Sequence, residues 1–543
     1  MTAPTPRRRL RHRIPTSLRR HWKLPVAFIA VVAIVATAFG ATRVRPYITG
    51  DPTIISSEIT ENVAGTVDLF DTSVTHELSL EIGDAEYDDM ISAYEKDGDK
   101  EWVVADVVVD GTRIDAVGVR LKGNSTLRGL QGENGEGPGG FGPPEGFELP
   151  EGFELPEGFD PAQDPPGMEG MAQVDPEDPT SLPLLIRFDK YVDGRAYQGM
   201  TELSVRPGSP VINEAMALSL TAETDQPTQR YAYTVYSVND SATATRLVLE
   251  HPDEQYANSL FDSPGYLYKA DASSRFEYVG DDQSDYADQF KEINAADSGT
   301  LQPIISFLKW MDSADNAEFD AHLADWVDVE SFARYVATQN LLVNFDDMAG
   351  PGQNYYLWYD LDTKKLSVVS WDLNMAMQGD TSAGPDDSIS IMGGMGPGGS
   401  GGNTEGAPEP PAMQQGDAPS MRLGRGGPPQ GMPGDAPPEG MPQGMPPGMP
   451  GGDGEGRGPM GGNTLKTRFL DSDAFTEIYH QAYQELSEQI YGSGLALEVL
   501  DEVAASVPTS DGLTAEALQE SVDSMRSWIG ERTQAQVQWI QPR

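Results

Sequence analysis

Four oxygen-bearing side chains frame a short β-rich pair of segments. Asp346 and Asp347 precede a Met-Ala-Gly-Pro-Gly loop, Asn354 opens an aromatic run at 354–359, and Asp372 follows a second β-rich run that ends on Trp371. The Asp-Leu-Asp-Thr-Lys-Lys stretch between the runs reads as a turn. Two strands joined by a tight turn bring the loop before the first close to the acid after the second. Asp346 or Asp347, Asn354 and Asp372 are therefore expected to converge on one spot. Carboxylate and amide oxygens are hard donors of the kind Mg²⁺ takes while it also bridges to nucleotide phosphates.

An acid, an Asn a few residues on, and a further Asp beyond a β-hairpin is also the order used by eukaryotic-type protein kinases. There the first acid serves as base, and the Asn and the last Asp hold metal against the phosphates. The His-Arg-Asp and Asp-Phe-Gly signatures are absent. The run Asn344-Phe345-Asp346 through Asn354-Tyr355-Tyr356-Leu357 to Trp371-Asp372-Leu373-Asn374, with Gly118-Val119-Arg120-Leu121-Lys122-Gly123-Asn124-Ser125-Thr126 upstream, resembles the CotH family of atypical protein kinases, first met in spore coats. The resemblance runs from about Leu69 to the C-terminus.

It implies an α+β, bilobed, kinase-like fold with an antiparallel β-rich N-lobe and a helical C-lobe, working on ATP with Mg²⁺ or Mn²⁺. In that scheme Asp346 is the first choice for the catalytic acid, with Asp347 close behind, and Asn354 and Asp372 hold metal. The glycine turn at Gly123, with Arg120, Lys122, Asn124 and Ser125, is placed to cradle phosphates through its backbone N–H groups. Arg187 or Lys190, in Leu184-Leu185-Ile186-Arg187-Phe188-Asp189-Lys190, would supply the cation that pairs phosphates, Glu214 would be its helix partner, and Glu250 would lie near the adenine edge.

The elements that must position these groups can be traced along the chain. Strand patterns run from Val67 to Ser125, with alternation at 76–82, a β-branched run at 102–109 and an Asp110-Gly111 hairpin signal. A helix is expected over 211–221 and a hairpin over 231–250. Helical patterns follow at 301–312 and 329–342, and an amphipathic tail occupies 464–543. Two low-complexity inserts interrupt this domain, which spans 65–543. Residues 129–179 carry a repeated Pro-Glu-Gly-Phe, and 379–463 are rich in Gly, Pro and Met. Neither can bury enough apolar surface to offset its ordering entropy, so both are expected to be disordered and dispensable for site geometry.

Composition narrows the function classes. The 543 residues carry a formal net charge of −48, and the first 23 hold eight Arg and Lys with no acid, so the remainder is more acidic still. Nucleic-acid binding by the main domain is excluded on that ground. Cysteine is absent, which removes disulfides, thiol catalysis and Cys-ligated zinc. Residues 24–41 are apolar apart from Thr37 and follow the basic stretch 1–23. Eighteen residues at helical rise just span a bilayer, with the basic side inside. A single-pass cell-membrane anchor with an extracytoplasmic domain is expected, the alternative being a cleaved signal peptide. The function expected is transfer of the ATP γ-phosphate to Ser or Thr of surface or secreted proteins, and the alternative is a non-catalytic surface scaffold or adhesin that keeps the fold.

Overall fold

The computed structural model describes residues 59–123, 126–127, 130, 174–294, 300–389 and 463–540. The expected basic tail, the 24–41 span, Asn124, Ser125 and most of both inserts lie outside them. No helix among the described residues is long and apolar enough to cross a membrane.

Seven strands close a barrel: β2 (His76–Ile82), β3 (Val103–Val109), β4 (Thr112–Leu121), β5 (Leu184–Arg187), β7 (Glu202–Val205), β9 (Ala244–Glu250) and β8 (Tyr231–Val238), in that spatial order. Each neighbouring pair is antiparallel except β2 with β8, which run parallel and complete the ring. An antiparallel β-rich lobe was the expectation; its strands close into a ring, which leaves no free edge. The alternation at 76–82 points Leu78, Leu80 and Ile82 into the barrel core beside Val107, Val119 and Ile186. The β3–β4 turn has positive φ at Asp110 (49°) and Gly111 (78°), which is what a two-residue hairpin demands. β1 (Glu61–Val63) and β6 (Arg195–Tyr197) form a separate parallel pair.

The strand reading of 67–125 missed helix α1 (Asp84–Asp97), which buries Met90, Ile91 and Tyr94 and stops at left-handed Gly98. The helical spacing and terminal glycine were available in the sequence.

α2 (Ile212–Glu223) follows β7, and α3 (Glu254–Leu260) follows the barrel. A second sheet has the order β11 (Phe290–Glu292), β10 (Gly265–Ala270), β12 (Tyr355–Asp360), β13 (Leu366–Ser370). α6 (Val329–Leu341) packs on β13, and the other helices are α4 (Gln302–Ser313), α5 (Asn316–His322) and, beyond residue 462, α7 (Thr464–Leu470), α8 (Asp473–Ser487), α9 (Leu495–Ser506) and α10 (Ala515–Ile540). The fold is thus mixed α and β, with sheets and helices meeting at a cleft.

The inserts are narrower than composition suggested. Residues 179–181 form a 3₁₀ turn capped by Asp178, with Thr180 and Ser181 buried. At the other insert, Arg532, fully buried on α10, donates to the carbonyls of Thr381 (3.0 Å) and Ala383, and Asn340 donates to that of Gly384 (3.0 Å). Asn463, also fully buried, caps α7 by accepting from the backbone of Leu465 and Lys466.

Candidate functional site

The β12–β13 hairpin does what its turn predicts. Tyr355 pairs with Ser370, so Asn354 and Trp371 are the next residues out, with Asp372 beyond. The preceding loop is tied to the same hairpin through Gln339 on α6, which accepts from Asn344 (2.7 Å) and donates to Ser370 Oγ (3.0 Å). Asp346, Asn354 and Asp372 consequently line one cleft of about 2070 Å³. Asp346 Oδ1 accepts from the Gly352 backbone N–H at 2.6 Å and Oδ2 from Asn354 Nδ2 at 2.9 Å. Gly352 is needed for this approach, because a Cβ there would stand 2.6 Å from Asp346 Oδ2. Burial raises the Asp346 pKa to about 6; the Gly352 N–H works against it, and the Asp372 and Asp347 charges work with it.

Asp347 has a different role. It is buried, accepts from the Ala349 N–H at 2.8 Å, and forms an ion pair with Lys466 of α7. It does not line the cleft. Of the two acids left open by the sequence, Asp346 is the one that lines the cleft.

Asp372 sits in a left-handed backbone conformation (φ 52°) and accepts from Arg206 at 2.5 Å. Arg206 also pairs with Glu214 on α2 (Nε to Oε1 3.0 Å), so one guanidinium bridges the helix acid and the hairpin acid. Burial pushes Asp372 upward, but the Arg206 and Lys122 charges and the Arg206 hydrogen bond outweigh it and hold the carboxyl below its ordinary range. Burial dominates for Glu214, whose pKa is raised in spite of Arg206.

This corrects the expected cation. Arg187 pairs with Asp189 (2.5 Å) and Glu202 (3.5 Å), and Lys190 is exposed with its ammonium 5.4 Å from the Trp102 ring; neither is ion-paired with Glu214. Arg206 fills that position. A signal for it exists, since it is the basic residue between the last short strand and the helix that carries Glu214. Glu250 is also reassigned: it is buried and paired with Arg230 (2.7 Å), while His251, Pro252 and Asp253 line the cleft in its place.

Lys122 lines the cleft, its ammonium donating to Ser204 Oγ at 2.6 Å, and Gly123 (φ 102°) lines it too. Lys269 was not anticipated. Lys122 and Lys269 stand 5.0 and 5.1 Å from the ring of Trp371, which packs edge-on against Tyr356 and His251. Burial and the Arg206 charge push the Lys122 pKa well down; burial also lowers Lys269, partly countered by Asp372. His251, held by burial and then by Lys122 and Lys269, is kept neutral.

Among the described residues no cluster of three His, Cys, Asp or Glu side chains presents itself for a metal. The expected set is the Asp372 carboxylate and the Asn354 carboxamide, with Asp346 beside them. Asn354 spends its N–H₂ on Asp346, which leaves its oxygen as the donor. Mg²⁺ needs no more from protein when phosphates and waters complete its shell, so the residues fit the ion.

The cleft thus gathers an arginine just past a strand paired with a helix acid, an acid and an Asn on one loop, and an acid past the following hairpin. The family model described as CotH kinase protein matches residues 186–536, and the chain belongs to the CotH family. The match begins at β5, so the Gly118–Thr126 motif lies before it. No curated protein matches the chain.

Proposed function

We propose that this chain is a protein kinase that transfers the γ-phosphate of ATP to Ser or Thr hydroxyls of surface or secreted proteins. The barrel is read as its N-lobe and the helical part as its C-lobe. The observation that carries this reading is the convergence of Asp346, Asn354 and Asp372 on one cleft with Arg206 bridging Glu214 and Asp372.

Asp346 accepts the proton of the attacking hydroxyl as its oxygen bonds to the γ-phosphorus and the bond to the β-phosphate oxygen breaks. With a pKa near 6, Asp346 is ionised at neutral pH yet more basic than an ordinary carboxylate. Asn354 and the Gly352 N–H fix its orientation. Asp372 and Asn354 would hold Mg²⁺ or Mn²⁺, which supplies charge neutralisation on the phosphates when bound. Arg206, Lys122 and Lys269 give the cleft a positive floor for the phosphate chain, and their fixed positions make that stabilisation preorganised. Placement outside the cell on a single membrane span is part of the proposal and rests on the sequence of residues 1–41.

Calorimetric titration with ATP and Mn²⁺, paired with autophosphorylation, is the test. Binding and turnover in the wild type, with turnover abolished and the fold retained in Asp346→Asn and Asp372→Asn, is the expected result. Absence of nucleotide binding at millimolar ligand would leave a non-catalytic surface scaffold as the reading.

A further inference from the structure

The cleft holds a second cluster of cations that the phosphoryl-transfer scheme does not use. Lys100, Trp102 and Arg120 line it, and Lys190 adjoins them at Trp102. The Arg120 guanidinium lies 4.9 Å and the Lys190 ammonium 5.4 Å from the ring of Trp102. Two like charges thus share one indole, just as Lys122 and Lys269 share Trp371. Gly118 makes the arrangement possible: a Cβ there would stand 2.6 Å from Lys190 Cβ and 3.0 Å from Trp102 Cε3.

Neither Arg120 nor Lys190 is ion-paired with a carboxylate among the described residues, and Arg120 Nε is buried without a hydrogen-bond acceptor. The carboxylate that acts most on Arg120 is Glu202, already paired with Arg187. A buried guanidinium donor left without an acceptor, amid like charges, is a costly arrangement that an anion relieves. Residues 120 and 122 are two apart along the strand direction, a spacing of roughly 7 Å, so the Trp102 cluster adjoins the Trp371 cluster without coinciding with it.

We propose that Lys100, Arg120 and Lys190 around Trp102 form a second anion subsite that takes a phosphomonoester dianion alongside bound nucleotide. Two or three cations, one of them a planar fork, match a doubly charged phosphoryl group better than a single carboxylate. If the kinase reading holds, the occupant supplied by a polypeptide is a residue that already bears phosphate, so that the acceptor is recognised by an earlier phosphorylation. The same chemistry could come from free inorganic phosphate.

Lys100 gives the subsite a distinctive readout. Burial and the charges of Arg120 and Lys269, opposed by Asp271, bring its pKa down to about 8. An anion restores the proton, so binding at pH 8 takes up roughly half a proton.

Inorganic phosphate, a phosphoserine peptide and its unphosphorylated counterpart are titrated calorimetrically at pH 8 in two buffers of different ionisation enthalpy. Each titration is done with and without a non-hydrolysable ATP analogue. The expected result is phosphate binding with proton uptake that persists when the analogue is bound. Lys100→Met and Trp102→Ala should weaken it at least tenfold, and Lys100→Arg should keep binding but abolish the uptake. A phosphopeptide that binds tenfold tighter than phosphate assigns the subsite to a phosphorylated acceptor, and equal affinities assign it to free phosphate. Unchanged phosphate affinity in both Lys100→Met and Trp102→Ala, or full displacement of phosphate by the analogue, overturns the proposal. Failure of the analogue to bind counts against the kinase reading instead, and the phosphate titration alone still decides the subsite.

Discussion

Gly352→Ala separates the position of Asp346 from its chemistry. The substitution adds one methyl and removes nothing. The Gly352 φ lies outside the left-handed range, so alanine is not strained by its own backbone. Its Cβ would nevertheless stand 2.6 Å from Asp346 Oδ2 and 2.7 Å from Asn354 Nδ2, where ordinary contact begins at 3.4 Å. The Asp346 carboxylate and the Asn354 amide must therefore give way by about 0.7–0.8 Å, which disturbs the contact between them. A misplacement of about 1 Å in a catalytic group costs on the order of 100-fold, so turnover should fall roughly 30- to 100-fold. Overpacking at a half-buried loop position should cost no more than about 1–3 kcal/mol, leaving the protein folded with a modest loss in Tm. The assay is single-turnover autophosphorylation with Mn²⁺ and ATP, together with nucleotide affinity and a melting curve. Turnover within threefold of wild type would show that Asp346 is not held where the reaction needs it. A collapse in Tm that accounts for all of the lost activity would show instead that the loop is structural.

Three further outcomes are expected. Lys466→Met leaves the Asp347 carboxylate buried and without its counter-ion, and should cost about 3–5 kcal/mol in urea unfolding, much of it recovered when Asp347→Asn is added. The pH profile of kcat/KM should rise through about pH 6, since only ionised Asp346 accepts the proton and its folded pKa is raised; a flat profile from pH 5 to 8 would remove Asp346 from the role of base. Replacing residues 390–460 with a short Gly-Ser linker should give a more stable protein than replacing 384–460. The longer excision strips the Gly384, Pro385 and Asp387 carbonyls from Asn340 and Tyr479, at about 1–3 kcal/mol for each buried donor left unmatched. Equal melting curves for the two deletions would refute that account.

Local signals carried much of the site. The Asp110-Gly111 turn, the 354–371 hairpin and the helices at 211, 301 and 329 each depend on residues a few positions apart, and the convergence of Asp346, Asn354 and Asp372 follows from one hairpin register. What escaped depends on distant partners. Arg206 is defined by Asp372, 166 residues later, and by Glu214 on the helix after it, through a barrel whose closing β2–β8 pair is itself non-local. Asp347 also owes its buried ion pair to Lys466, which arrives from 119 residues downstream. Composition placed the second insert at residue 379, but Arg532 needs the carbonyls of 381 and 383, and no window around 379 contains that demand. The missed helix at 84–97 is different in kind, since its spacing and its terminal Gly98 were local and readable.

The charge distribution gives these buried contacts a common logic. A chain with a net charge of −48 repels anions over most of its surface, and yet the cleft concentrates Lys100, Arg120, Lys122, Arg206 and Lys269. Of the carboxylates that line it, Glu214 and Asp372 are engaged by Arg206, and Asp189 and Glu202 by Arg187. Any positive potential is therefore local to the cations grouped at Trp102 and Trp371, and an anionic ligand gains most where those cations are least screened by water. Nucleotide affinity should accordingly weaken with ionic strength less than an exposed basic patch would, because buried charges are screened less than surface ones. A salt dependence of ATP binding as steep as that of a surface polyanion site would place the nucleotide on the rim of the cleft and away from Asp372.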